Sequence, residues 1–166
     1  RCFRNGEALR GEAAEAAFAF VPPRTPDKPG TTKAGLRCRY YRGSWRHEPD
    51  FESDTPRDHT VVPQIDQKAR PAEDAVMVRF SGYLKAPRTG EYRFYTRPYG
   101  SGRVAIGKRI VWNPNPLNPR RHKHDLVNLE AGLHRFEASF FFGEGVGEGE
   151  LGIEWEGPGI ERQPIP

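Results

Sequence analysis

Between Arg97 and Trp112 the chain gathers side chains able to hold a polar, ring-shaped ligand. Arg97 and Arg103 offer guanidinium forks, and Tyr99 and Trp112 offer flat faces on which a sugar ring stacks. A plainer reading stands beside it: Arg97 and Tyr99 cap the fold, and Trp112 packs on the core. Glu144, Glu148 and Glu150 lie among glycines, where weak calcium binding is conceivable but unspecific. His122 and His124 in RRHKHD would share a strand face, as a metal pair does. The adjacent Arg120, Arg121 and Lys123 repel a cation, which favours a solvated basic loop, or one that meets an acidic partner or a sulfated glycan. H-E-x-x-H, G-x-S-x-G and a phosphate-cradling glycine loop before a helix are absent. No carboxylate pair stands out for glycoside hydrolysis, and the chain reads as non-catalytic.

These residues must be positioned by strands. From Val76 to Trp112 the sequence reads as a four-strand meander. Val78 and Phe80 alternate with Arg79 and Ser81, the period of a half-buried strand. Pro87 to Gly90 forms a turn. Tyr92, Phe94 and Thr96 then face one side, Arg93 and Tyr95 the other. Gly107-Lys108 closes a hairpin between 103–106 and 109–112. Val127 to Leu129 is expected to pair with the strand carrying Phe136, Ala138 and Phe140, through the turn Glu130-Ala131-Gly132. Leu151, Ile153 and Trp155 alternate inward on a closing strand. Leu36 to Tyr41 opens the barrel, and Val61, Val62 and Ile65 mark a brief strand. Asn113 to Asp125 carries three Asn-Pro pairs and must be a surface loop.

The 166 residues include 18 Gly and 16 Pro and no long apolar run, which favours an all-β fold and excludes a helical membrane span. The net charge of +4 comes from 26 scattered basic residues, so a solvated surface is expected in place of nucleic-acid binding. Arg1 to Val21 reads as the last strands of a preceding β domain, with a turn at Asn5-Gly6 and a later strand EAAFAFV. Pro22 to Ala34 is proline-rich and reads as a stiff linker that does not pack. The barrel domain occupies 35–166. Starting at Arg1, the chain reads as part of a larger parent protein. Cys2 and Cys38 could form a disulfide contributing about 3–4 kcal/mol; two free thiols are the alternative.

The blocks GLRCRYYRGSW, FSGYLKAPRTGEYRFYTR, IGK, VNLEAGLHRFEASFF and LGIEWEGPGIERQPIP occur in this order from Gly35 to Pro166. They resemble the β-barrel domain family named after the anthrax toxin protective antigen, including its L-x-A-G-x-H turn and its closing W-x-G-P-G. The resemblance implies an antiparallel β-barrel or sandwich with long apical loops. It also implies an accessory module that binds carbohydrate within an extracellular, periplasmic or cell-envelope protein. Residues 1–21 are similar, over a short stretch, to the end of the immunoglobulin-like domain at the C-terminus of chitobiases and hexosaminidases. The family's sugar site uses calcium on two adjacent aspartates in a pattern like Ser-Asp-Asp-Gly-Ser. Here Tyr99 and Gly100 stand at those positions after Pro98, and Gly107 stands where the family commonly has Asp. Neither replacement supplies a carboxylate, so no metal and no cofactor are expected. The resemblance makes 143–149 the second ligand loop and Glu144 and Glu148 its candidate ligand residues. A glycan or a protein is the expected partner, without nucleic acid or membrane insertion. The alternative is a structural or protein-interaction module.

Overall fold

The computed structural model describes Phe3–Arg4, Glu7–Ala8 and residues 22–42, 56–65, 76–96, 101–112, 124–142 and 152–165. Its strands are β1 (Phe3–Arg4), β2 (Glu7–Ala8), β3 (Leu36–Arg42), β4 (Asp58–Val62), β5 (Val76–Ala86), β6 (Gly90–Thr96), β7 (Ser101–Ile106), β8 (Arg109–Trp112), β9 (His124–Leu129), β10 (Gly132–Phe142), β11 (Ile153–Gly157) and β12 (Ile160–Pro164). Among the described residues no helix is long and apolar enough to cross a membrane.

The longest strands, β5 and β10, pair antiparallel from Ala86↔Gly132 to Val76↔Phe142. They form the spine of a six-stranded sheet of order β4-β3-β5-β10-β7-β8. The second sheet has order β12-β11-β6-β9. The fold is an all-β antiparallel sandwich, as expected. The strand period of two explains how it closes. Val78, Phe80, Leu84, Phe136, Ala138, Val104 and Ile106 point inward from the first sheet and are buried. Tyr92, Phe94, Val127, Leu129, Ile153 and Trp155 meet them from the second. Tyr92 stacks on Trp155 at 5.4 Å between ring centres, and Phe80 meets Phe140 edge-on at 6.2 Å.

Three expectations are corrected. First, the stretch from Val76 to Trp112 is not a single meander: β5 lies in the six-stranded sheet and β6 in the other. Each strand has one apolar face, and alternation fixes that face without fixing the partner. The crossing at 87–89 is pinned by Tyr92, whose hydroxyl donates to the Arg88 carbonyl at 2.6 Å. Second, β9 and β10 likewise belong to opposite sheets and do not pair. Their connection is stapled to the first crossing by the Ala131 N–H, which donates to Thr89 Oγ1 at 3.0 Å. Third, the proline-rich segment packs. The Arg24 and Asp27 N–H groups donate to the carbonyls of Asn128 and Leu133 at 2.8 and 2.7 Å. These bonds are polar, so apolar content was the wrong measure of whether it could dock.

The N-terminal ribbon also differs in detail. β1 and β2 are two-residue strands that pair through Phe3↔Ala8 and Arg4↔Glu7; the expected turn at Asn5-Gly6 lies outside the described residues. EAAFAFV lies outside the described residues. The 107–108 hairpin is as expected, with Gly107 at φ +59°.

Candidate binding end of the sandwich

Strand register gathers the candidate segments at one end. β6 ends at Thr96, which stands opposite Ile153 at the start of β11. β7 begins at Ser101, opposite Phe141 near the end of β10. Trp112 closes β8 opposite Val104, and His124 opens β9 opposite Tyr95. Arg42 ends β3 opposite Val76. The strands flanking 43–55, 97–100, 113–123 and 143–151 therefore all terminate at this upper end. The crossings at 87–89 and 130–131, the hairpin at 107–108 and the segment around Arg24 belong to the lower end.

Of the candidate residues, Arg103 is described. Val104 and Ile106 are in the core, so Arg103 faces out from the six-stranded sheet near its upper end and is half-buried. Register sets it opposite Ser139, with Arg79 and Arg39 on the same transverse row. Like charges opposite one another repel, and Glu137 in the adjoining row offsets this. Its carboxylate lies 3.0 Å from the Arg79 guanidinium and accepts from Arg135 at 2.5 Å. Burial pulls the Glu137 carboxyl upward, but bonds to Arg135 and Arg79 outweigh it and hold the group below its ordinary value. Trp112 is described as a strand residue only. Arg97, Tyr99, Gly100, Glu144 and Glu148 lie outside the described residues, as do Cys2 and His122. Cys38 is a buried free thiol in the core. Burial pushes its pKa up.

A surface cluster that sequence reasoning missed lies on the outer face of the four-stranded sheet. Tyr95 donates its hydroxyl to Glu156 at 2.6 Å, and Arg93 approaches the same carboxylate oxygen at 3.5 Å. Arg162 lies 4.0 Å over the Tyr95 ring and donates to Glu154 at 2.8 and 2.6 Å. The outward facing of Arg93 and Tyr95 is as expected from alternation. The signal for the rest was Glu154-x-Glu156, a same-face spacing on a strand, with Arg162 across the 158–159 turn. The cluster presents fixed hydrogen-bonding groups beside an aromatic ring, one face of which Arg162 covers.

Residues 32–166 match the family described as PA14 domain. The chain belongs to the PA14 domain family. Solved structures agree on the fold of this PA14 domain. An anti-sigma factor domain-containing protein from Clostridium clariflavum superposes with a TM-score of 0.60 at 21% identity, covering 87% of this chain. The chain spans 51% of that structure's length. The Epithelial Adhesin 9 A domain from Candida glabrata, in complex with Galb1-3GlcNAc, gives 0.58 at 11% identity, covering 85% of this chain and 91% of its own. A PA14 sugar-binding domain from an RTX adhesin gives 0.56 at 16% identity, covering 81% and 96%. No curated protein sequence matches the chain.

Proposed function

We propose that this PA14 domain is a non-catalytic carbohydrate-binding accessory module of an extracellular, periplasmic or cell-envelope protein. On this reading the ligand meets the upper end without a calcium–aspartate site. The observation that carries it is the convergence of the strand ends flanking 97–100 and 143–151, with Arg103 beside them. Two structures of this fold, at TM-scores of 0.58 and 0.56, are described as an adhesin domain with a bound disaccharide and as a sugar-binding domain. Arg97, Tyr99, Arg103 and Trp112 supply forks and ring faces for sugar hydroxyls and C–H surfaces. Glu144 and Glu148 supply acceptors.

Calcium does not fit the residues that would hold it. Tyr99 and Gly100 stand where the family's aspartates stand, and a hard cation needs oxygen ligands that neither side chain offers as a carboxylate. The proposed site therefore works through hydrogen bonds and stacking alone. A second reading, a protein-interaction module, is favoured by that same loss of the aspartate pair together with the basic loop NPNPLNPRRHKHD.

A glycan array in calcium and in chelator, with wild type and Tyr99→Ala, tests the proposal. The expected outcome is binding that is indifferent to chelator and falls by about 1–3 kcal/mol of affinity, roughly fivefold to a hundredfold, in Tyr99→Ala. Absence of binding in both conditions removes the carbohydrate reading, and binding only in calcium removes the metal-free one.

A further inference from the structure

The lower end of the sandwich holds a site that nothing above assigns, and it is built around His134. This imidazole is fully buried on the inward side of β10, with 0% exposure. Its Nε2 lies 2.8 Å from the Glu130 carbonyl, and its Nδ1 lies 2.7 Å from Arg24 Nη1. A carbonyl can only accept and a guanidinium can only donate. Nε2 therefore carries the hydrogen, and Nδ1 presents its lone pair to Arg24. This arrangement fits one protonation state of the ring, the neutral Nε2–H tautomer.

Arg24 is the hub of a strap. Its second amino group donates to both Asp27 oxygens at 2.9 and 2.8 Å. Asp27 Oδ2 accepts from the Arg135 N–H at 2.6 Å. The Arg24 N–H and carbonyl pair with the Asn128 carbonyl and the Glu130 N–H at 2.8 and 3.1 Å, as a parallel bridge to Leu129. Two glycines make the seat. A Cβ at Gly107 would collide with the Arg24 guanidinium, and a Cβ at Gly132 would lie 2.6 Å from Pro26. Both have positive φ, +59° and +140°. The strap is thus received by a shaped site in which the Arg24 guanidinium meets an ionisable ring.

We propose that Arg24 and His134 form an acid-released latch, which ties the entering segment 22–29 to the barrel while His134 is neutral and frees it when His134 is protonated. A proton at Nδ1 removes the only acceptor Arg24 has on the ring. It also sets two cationic donors at hydrogen-bonding distance. The groups facing the ring are Arg24 and Asp27 from the strap and the Glu130 carbonyl from the 130–131 turn; the Arg135 side chain is engaged by Glu137. Asp27 is an anion beside the ring, and it is already bound to Arg24 and to the Arg135 N–H. Burial raises the Asp27 carboxyl, but the Arg135 and Arg24 bonds outweigh this and keep it below its ordinary 3.8, so its own titration falls in a more acidic window. The strap is the side that yields, because its residues are half-buried or exposed while the ring is fully buried on the paired strand β10.

Amide hydrogen exchange on the 166-residue chain reads the latch directly. The reporters are the N–H groups of Arg24, Asp27, Glu130 and Arg135, each bonded across the strap. Phe80 and Ala138, in the paired spine, are the reference. Between about pH 7.5 and 5, strap protection should fall roughly tenfold or more relative to the spine. His134→Gln, which cannot take up a proton, should abolish that difference. Arg24→Met leaves the buried ring in place and should leave the strap unprotected at both pH values. A constant strap-to-spine ratio in wild type overturns the latch. So does an acid-dependent loss that persists in His134→Gln or in Arg24→Met.

Discussion

Glu137 shows how one carboxylate organises the outer face of the six-stranded sheet. It sits one row from Arg39, Arg79 and Arg103 and engages both Arg79 and Arg135. Its pKa is depressed in the folded state, so its stabilising contribution is complete above the ordinary carboxylate value of 4.5. That contribution is lost as pH falls through the lower folded value. Glu137→Gln should therefore lower stability at neutral pH and flatten the acid limb of a melting-temperature profile below about pH 5. An acid limb unchanged from wild type would contradict this. At the same scale, the alternation of Tyr92 and Phe94 with Arg93 and Tyr95 was legible in the sequence. The Arg24–His134 bond was not: the residues are 110 positions apart, and each alone reads as an ordinary polar residue.

At the scale of elements, nearly every strand was visible as a period-two stretch, and the pairing of strands was not. β5 and β6 are joined by a short turn that looks like a hairpin and is an arch between sheets. The information that makes it an arch resides in Tyr92, whose hydroxyl reaches back to Arg88, and in Thr89, which accepts from Ala131 on the neighbouring arch. Tyr92→Phe removes the first of these bonds without changing the packed ring. It should cost about 1–2 kcal/mol in denaturant unfolding, the loss of a satisfied partner for the Arg88 carbonyl. A cost near zero would mean the arch is held by the apolar contacts of the ring alone. The 107–108 hairpin was legible because Gly-X in a two-residue loop carries its own geometry. The docking of the proline-rich segment escaped notice because backbone groups between Asn128 and Arg135 and the His134 ring receive it, and apolar content does not register such partners.

For the whole molecule, the two ends of the sandwich have different chemistry. The lower end is closed by short arches and by the strap from Arg24 to Asp27. The upper end receives the strand termini that flank 43–55, 97–100, 113–123 and 143–151. This polarity puts segment 22–29 and the proposed ligand at opposite poles. Family membership was legible from motif order alone, because L-E-A-G-L-H and W-E-G-P-G occupy the 130–131 arch and the 158–159 turn. The ligand was not legible, because motif order identifies the family and not what an individual member binds.

The central claim is that carbohydrate is bound at the upper end, and amide chemical-shift mapping tests it most directly. The isolated chain would be titrated in chelator with an oligosaccharide identified on the array. Binding at the upper end should perturb the strand ends Thr96, Ser101, Arg103, Trp112, Phe142 and Ile153 and leave Leu129, Gly132 and Gly107 unmoved. Perturbations confined to the lower end, or to the outer face around Tyr95 and Arg162, would contradict it.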